Sequence, residues 1–518
     1  MESNARWLGV LAILVACCDS GGTSGGGGRD TGPSVPDGAA LDGAGLDGSV
    51  PPGLDLGAVD GAPIPVDGAT GDGPIGPCAP PTIACGAACV DPSTDGTNCG
   101  ACGNVCPAGF ACTAGACACA TPGGCTATPA DLALGRYDAC NMLADGTRRC
   151  LGFSFARMTD GSIRSWGGNT SGELADGTTT SRTTPGVVAA LAGSTAIAPG
   201  NQHACARDPA GSVRCWGDGA FGQLGLGTTD AHATPMAVAG LAGVSIVASG
   251  GYHSCALAAD GAIRCWGMAQ FGQLGAAGTA TCLGGQFSCA PSPVTVSLPG
   301  VVQIALGNAH SCARTSGGQL HCWGVSQYGQ VGAWEPGDSC DDPGRTALPC
   351  ARAPRLVDAV SGVTDVALGD GHTCAVLGGG TVSCWGNGRL GQLGDGAVTS
   401  HPEPADVGLS GVTQLAAGSS HTCALLGDGT VRCWGAGYLG QLGFMPSMRC
   451  SVPMGDFLCE PRPAAVPGIA GVTRIAAGGA HTCSLHDDGS VRCWGFNESG
   501  QIGDGTTDGR GAPVVVTF

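Results

Sequence analysis

Cysteine and histidine are the reactive residues that recur most regularly in this chain. Six Cys pairs stand ten residues apart: Cys205 with Cys215, Cys255 with Cys265, Cys312 with Cys322, Cys374 with Cys384, Cys423 with Cys433 and Cys483 with Cys493. A His precedes each pair by two residues, at His203, His253, His310, His372, His421 and His481. Thiolates and imidazoles can ligate metals, and paired thiols can oxidise to disulfides. A metal needs ligands converging on one point, whereas equivalent positions of a repeat converge only near a common axis. The His are therefore read as hydrogen-bonding residues within their own units, and no metal or other cofactor is expected.

The Cys pairs carry their own geometry. Between Cys255 and Cys265 the midpoint is Asp260, followed by Gly261. A short hairpin loop with Gly in the left-handed conformation sets the two Cys opposite one another. A non-hydrogen-bonded antiparallel pair then brings the sulfurs within bonding reach. Six cross-strand disulfides follow, each stabilising by roughly 2–3 kcal/mol in the chain-entropy model. Three further pairs, Cys282 with Cys289, Cys340 with Cys350 and Cys450 with Cys459, fall in insertions, and Cys140 pairs with Cys150 just before the first unit. With 32 Cys in the chain, an oxidising compartment is expected.

The N-terminal end fits export. Arg6 is followed by an apolar stretch from Leu8 to Ala16, too short to span a bilayer. Residues 1–16 read as a signal peptide ending Leu14-Val15-Ala16-Cys17, which resembles the lipobox of bacterial lipoproteins. Cys17 would then be lipidated and hold the chain to the cell envelope. Residues 17–77, rich in Gly, Ala, Pro and Asp, cannot bury a core and read as a disordered tether. Residues 78–130 form a small module stapled by Cys78, Cys85, Cys89, Cys99, Cys102, Cys106, Cys112, Cys117, Cys119 and Cys125, of open connectivity. Its core Asn98-Cys99-Gly100-Ala101-Cys102-Gly103 resembles the stigma-specific-protein-like cysteine-rich domain.

What positions the Cys pairs is a repeat. A Trp-Gly pair recurs at Trp166, Trp216, Trp266, Trp323, Trp385, Trp434 and Trp494. Each unit holds a Pro-containing run, an apolar run, the His-x-Cys segment, a turn and a Cys-Trp-Gly strand. Gly-Gln-Leu-Gly or a variant of it follows. Four short strands per unit, seven times over, predict an all-β, seven-bladed β-propeller over residues 131–518. The first unit has Phe155 and Ser165 in place of the Cys pair and lacks a clear outer strand. The tail Pro513 to Phe518 is expected to supply that strand and close the ring. The recurrent Trp are core residues, and the Asp-Gly pairs are turns rather than calcium loops.

The Trp-Gly pairs, Gly222-Gln223-Leu224-Gly225, Gly272-Gln273-Leu274-Gly275 and Gly391-Gln392-Leu393-Gly394 resemble the regulator of chromosome condensation repeat family. The resemblance implies a seven-bladed propeller that binds other proteins. Known members include a guanine-nucleotide exchange factor and a secreted β-lactamase inhibitor. The exchange activity is not carried over to an exported, acidic, disulfide-rich chain.

A net charge of −18 and the absence of any basic run argue against nucleic-acid binding. No hydrolase, P-loop or metalloprotease motif stands out. Residues that break the repeat are the better candidates for function. In the second insertion these are Trp334, Glu335, Asp338, Asp341 and Asp342; in the third they are Phe444, Met445, Met448, Met454 and Phe457, read as exposed. All three insertions occupy the same place in the repeat and so share one face of the disc. The expectation is a monomeric, non-enzymatic surface protein that recognises a protein or glycan through that face. The alternative is a surface polysaccharide hydrolase or lyase with paired carboxylates at the propeller mouth.

Overall fold

Each Trp-Gly unit folds into one antiparallel sheet, and seven such sheets form an all-β propeller. Blades are numbered by their Trp, from blade 1 at Trp166 to blade 7 at Trp494. The computed structural model describes residues 91, 127–135, 152–334, 337–340, 347–453 and 455–518, and the backbone of six short strands between 83 and 150. Cys17, the tether and the Cys pairing of residues 78–125 lie outside the described residues. Cys140 stands opposite Cys150 in a two-stranded ladder, but their side chains also lie outside the described residues.

Blade 2 shows the pattern. Strands Ala196–Pro199, His203–Arg207, Val213–Gly217 and His232–Ala237 follow one another outward from the axis. The two middle strands are covered on both faces by neighbouring blades, so they are near-continuous runs of buried residues without polar alternation. The hairpin turn between them in blade 3 places Gly261 at φ +77, and the Asp260 carboxylate accepts from Ala262 N at 3.0 Å.

Register follows from the turn, and all six expected hairpin disulfides are present. In blades 2 and 3 Cys205 bonds Cys215 and Cys255 bonds Cys265. In blades 4 and 5 Cys312 bonds Cys322 and Cys374 bonds Cys384. In blades 6 and 7 Cys423 bonds Cys433 and Cys483 bonds Cys493. In every one the Cα atoms are 4.1 Å apart, as the directly opposed ladder positions require. Phe155 faces Ser165 at the same place in blade 1.

The expected ring closure is corrected. Arg510–Val516 pairs with Val491–Gly495 and is the outer strand of blade 7, not of blade 1. Blade 1 is complete in itself, from Pro129–Leu134 inside to Arg182–Val187 outside. Each Pro-containing run pairs with the Trp strand before it, because the Gly-Gln-Leu-Gly loop returns the chain to that strand's free edge. The Pro itself falls in a bulge of the ladder, as Pro235 does between the pairs Cys215 with Met236 and Gly217 with His232. The tail still meets blade 1 through side chains: Val516 shares a core cluster with Trp166, and Phe518 packs edge-on against Trp166 at 5.7 Å.

The ring therefore closes through its seams. At every seam the Trp indole N–H donates to the main-chain carbonyl of residue 173, 223, 273, 330, 392, 441 or 501 in the preceding blade, at 2.7–3.1 Å. The closing seam obeys the same rule, with Trp166 donating to Gln501 O at 2.8 Å. Six seams add a relay. His253 Nε2 meets the Ser311 hydroxyl at 2.8 Å, and that hydroxyl donates to Gln273 O at 2.8 Å. Because the hydroxyl proton goes to the carbonyl, the imidazole must donate, which fixes the Nε2–H tautomer. Equivalent His contacts run to Ser254, Thr373, Thr422, Thr482 and Ser154. The His are structural as expected, but their partners lie in the next blade rather than in their own.

The seams make two expectations measurable. Ser311→Ala removes the hydroxyl at the centre of one relay and should cost about 1–3 kcal/mol in denaturant unfolding. Burial holds the His203 imidazole down from 6.5 to about 3. The unfolded chain therefore takes up this proton below about 6.5 while the folded chain does not, so the contribution to stability falls as pH drops through that window. Unfolding midpoints across that window should decline, and His203→Gln should make the decline shallower.

Candidate recognition face

The loops that vary among blades all leave the ends of the third strands. Where the loop is long it folds back as a fifth strand. Ala280–Cys282, Asp338–Cys340 and Met448–Val452 pair with extended outer strands in blades 3, 4 and 6. Disulfides Cys282–Cys289, Cys340–Cys350 and Cys450–Cys459 staple these hairpins. Since each hairpin continues beyond the same end of its blade, all three stand on one face of the disc.

Short loops are held by polar networks instead. In blade 7 the Asn497 amide donates to Thr506 O at 3.1 Å and Asp508 O at 2.9 Å, while Arg510 binds Asp504 at 2.6 Å. Burial raises the Asp504 carboxyl, but hydrogen bonds from Thr506 and Arg510 outweigh it and hold the group below its usual range. Blade 1 repeats the arrangement with Asn169, Asp176, Thr178 and Arg182. Both devices satisfy loop backbone that would otherwise move, so the face is a rigid display.

Exposed apolar side chains stand on this face in blades 4 and 6. Trp334 is 45% exposed, Met448 45% and Met445 79%. Phe444 and Phe457 correct the expectation of exposure, both being half-buried. Phe444 packs partly buried against the blade 6 core, and Phe457 lies tilted against Tyr438 with ring centroids 4.9 Å apart. Asp338 is exposed, but its carboxylate accepts from Arg352 N at 3.1 Å inside its own hairpin. Glu335, Asp341, Asp342 and Met454 lie outside the described residues.

Tyr438 and Val398 are members of this surface that the loop insertions do not mark. Tyr438 occupies the position two residues before the Gly of Gly-Gln-Leu-Gly. The same position holds Thr170, Ala220, Gln270, Gln327, Arg389 and Glu498 in the other blades. One changing residue per blade on a fixed turn is the signal that could have found it. Arg389 there lies over the Tyr328 ring at 5.6 Å. Elsewhere on the face Phe221 contacts Tyr252 at 5.0 Å and Phe287 at 5.6 Å, which joins the blade 3 hairpin to blade 2.

The axial channel encloses about 310 Å³ and is lined by inner-strand residues such as Leu134, Val247, Leu306, Leu368, Leu415 and Ile475. Its described lining contains no carboxylate and no His.

Comparison with known proteins agrees with the repeat geometry. The model described as "Regulator of chromosome condensation (RCC1) repeat" matches residues 210–257, 260–314, 317–376, 379–425 and 428–485. A second model of the same description matches six stretches between 195 and 501. The chain is 33% identical over 241 residues to the E3 ubiquitin-protein ligase HERC2 of Homo sapiens, covering 45% of this chain and 5% of that protein. It is 30% identical over 222 residues to the ultraviolet-B receptor UVR8 of Arabidopsis thaliana, covering 42% and 46%. It thus spans less than half the length of these relatives. Yeast RCC1 (Prp20), solved with Kap60, shares the fold at a TM-score of 0.58 and 23% identity, covering 69% of this chain and 84% of that one. By its matched repeats and its seven seams, the chain belongs to the regulator of chromosome condensation repeat family.

Proposed function

We propose that this chain is a non-enzymatic recognition protein that binds another protein through the loop face of blades 4 to 6. The observation that carries the reading is the exposed apolar residues Trp334, Tyr438, Met445 and Met448, on hairpins stapled by disulfides or braced by a ring contact. Aromatic and Met side chains on a rigid, pre-organised surface are the usual anchors of protein interfaces. A family relative solved in complex with a protein, Kap60, supports this use of the fold. We further propose that the chain is exported and anchored to the bacterial envelope through lipid on Cys17, as a monomer. The lipobox-like Leu14-Val15-Ala16-Cys17 and the many disulfides support that reading.

Two experiments test these statements. Affinity capture from native cell envelopes should return a partner with the intact protein and lose it with a version whose three hairpins are cut back to short loops. Equal capture by both would refute the face. Cys17→Ser should move the protein from the membrane fraction to the soluble fraction, and continued membrane residence would refute the lipid anchor.

A further inference from the structure

One of the seven seams departs from the pattern at four of the positions that define it. Between blades 1 and 2 the relay His is replaced by Phe153, its hydroxyl partner by Ala204, the Gln by Glu173 and the last Gly of the turn by Ala175. Ala175 is held at φ +62, a conformation that costs an L side chain energy and that Gly225, Gly275 and Gly394 adopt freely elsewhere. Blade 1 also lacks the hairpin disulfide. Aromatic edges fill the space, with Phe153 on Phe155 at 5.9 Å and Phe155 on Trp216 at 6.0 Å. Of the hydrogen bonds that define the other seams, Trp216 Nε1 to Glu173 O, at 2.7 Å, is kept.

Glu173 is the exceptional group. Its Oε2 accepts from Ser171 N at 2.8 Å, as the Gln carbonyl oxygen does from Phe221 N in blade 2. Its Oε1 stands where Gln carries an amide nitrogen, and it is buried without a hydrogen-bond partner. In blade 2 the Gln223 amide donates to Asp218 at 2.9 Å. In blade 1 the residue equivalent to Asp218 is Gly168, which has no side chain to offer. The charge that Glu173 feels comes across the seam from Asp218 itself, and it is of like sign. No cation offsets the pair among the described neighbours. Arg182 of blade 1 is engaged by Asp176 at 2.9 Å and Ser165 at 3.2 Å. His203 of blade 2 points away to Ser254 of blade 3 at 2.8 Å.

We propose that the seam between blades 1 and 2 is a pH-sensitive joint, closed while the Glu173 carboxyl is protonated and loosened when it ionises beside Asp218. A protonated carboxyl has the shape and neutrality of the Gln amide that six seams carry. An ionised one leaves a buried charge facing the part-buried like charge of Asp218, and its relief is access to water. Burial pushes the Glu173 carboxyl up from 4.5 to about 7, with the Asp218 charge adding to the rise, and burial raises Asp218 as well. The closed seam keeps the Glu173 proton up to about 7, whereas the opened seam loses it near 4.5. Its contribution is therefore complete below about 4.5, declines as pH rises, and is lowest above about 7.

Hydrogen exchange of the full protein tests this, read by mass spectrometry near pH 6 and near pH 8 and corrected for intrinsic rates. Strands Phe153–Met158 and His203–Arg207 should lose about ten-fold protection or more at the higher pH relative to Val412–Ala417, which sits at an ordinary seam. Glu173→Gln restores the common residue and should fold, and it should abolish that difference. Asp218→Asn should shift the transition to lower pH. The proposal is overturned if all seams respond alike, or if the difference survives in Glu173→Gln. Recovery of protection at the higher pH by millimolar calcium chloride would also overturn it, since a cation rather than a proton would then neutralise the pair.

Discussion

The carbonyl of one residue per blade, contributed by the Gly-Gln-Leu-Gly turn, carries the architecture. It accepts the Trp indole N–H of the next blade at every seam, and at six seams also a Ser or Thr hydroxyl. Both lone pairs of the oxygen are then used inside a dry interface, where an unmet donor would be costly. The turn sequence follows from this task. The Gln side chain ties down its own loop by accepting from the backbone two residues earlier, as Gln273 does from Phe271 N at 2.8 Å. Its Leu fills the blade core, and its last Gly lies against the Trp ring it serves. Blade 7 meets blade 1 with the same contacts, so the ring needs no exchanged strand.

A frame fixed at its seams leaves the loops on one face free to vary. Length has been added in blades 3, 4 and 6, and each addition brings its own disulfide. Blades without additions use Asn, Asp and Arg to the same end. Both devices meet one requirement: a loop carrying exposed apolar residues binds better when its shape is already set before the partner arrives. Met448 stands on a stapled strand and Tyr438 is braced by Phe457, so each exposed residue is held in place.

Much of this is legible in the sequence because it is local. The Cys pairs lie ten residues apart around a Gly turn, so period-two pleating alone sets the register of Cys255 against Cys265 and of Cys483 against Cys493. Seven Trp-Gly pairs set the blade count. Contacts between repeats are harder to read. The His spacing resembles an intrablade role, yet His203 and its hydroxyl partner Ser254 are 51 residues apart. The outer strand falls to the wrong unit on sequence alone because a periodic sequence has no intrinsic phase. Only the pairing of His232–Ala237 with Val213–Gly217 shows where a blade begins. Phe444 reads as exposed from its place in an insertion, but its position just after the core turn draws it onto the blade 6 core.

The seams also explain why two kinds of ionisable residue behave in opposite ways. Both sit in interfaces closed to water, where the neutral form of any group is favoured. For a base this lowers the pKa, and His203 falls to about 3. For an acid it raises the pKa, and Glu173 climbs to about 7. One kind of environment thus gives the His203 seam a stability that is lost toward acid, and the proposed Glu173 joint one that is lost toward base. Moving Phe153, Ala204 and Glu173 away from the common pattern together changed more than the packing at one joint. It placed an acid at that joint, where burial acts with the opposite sign from its effect on His203.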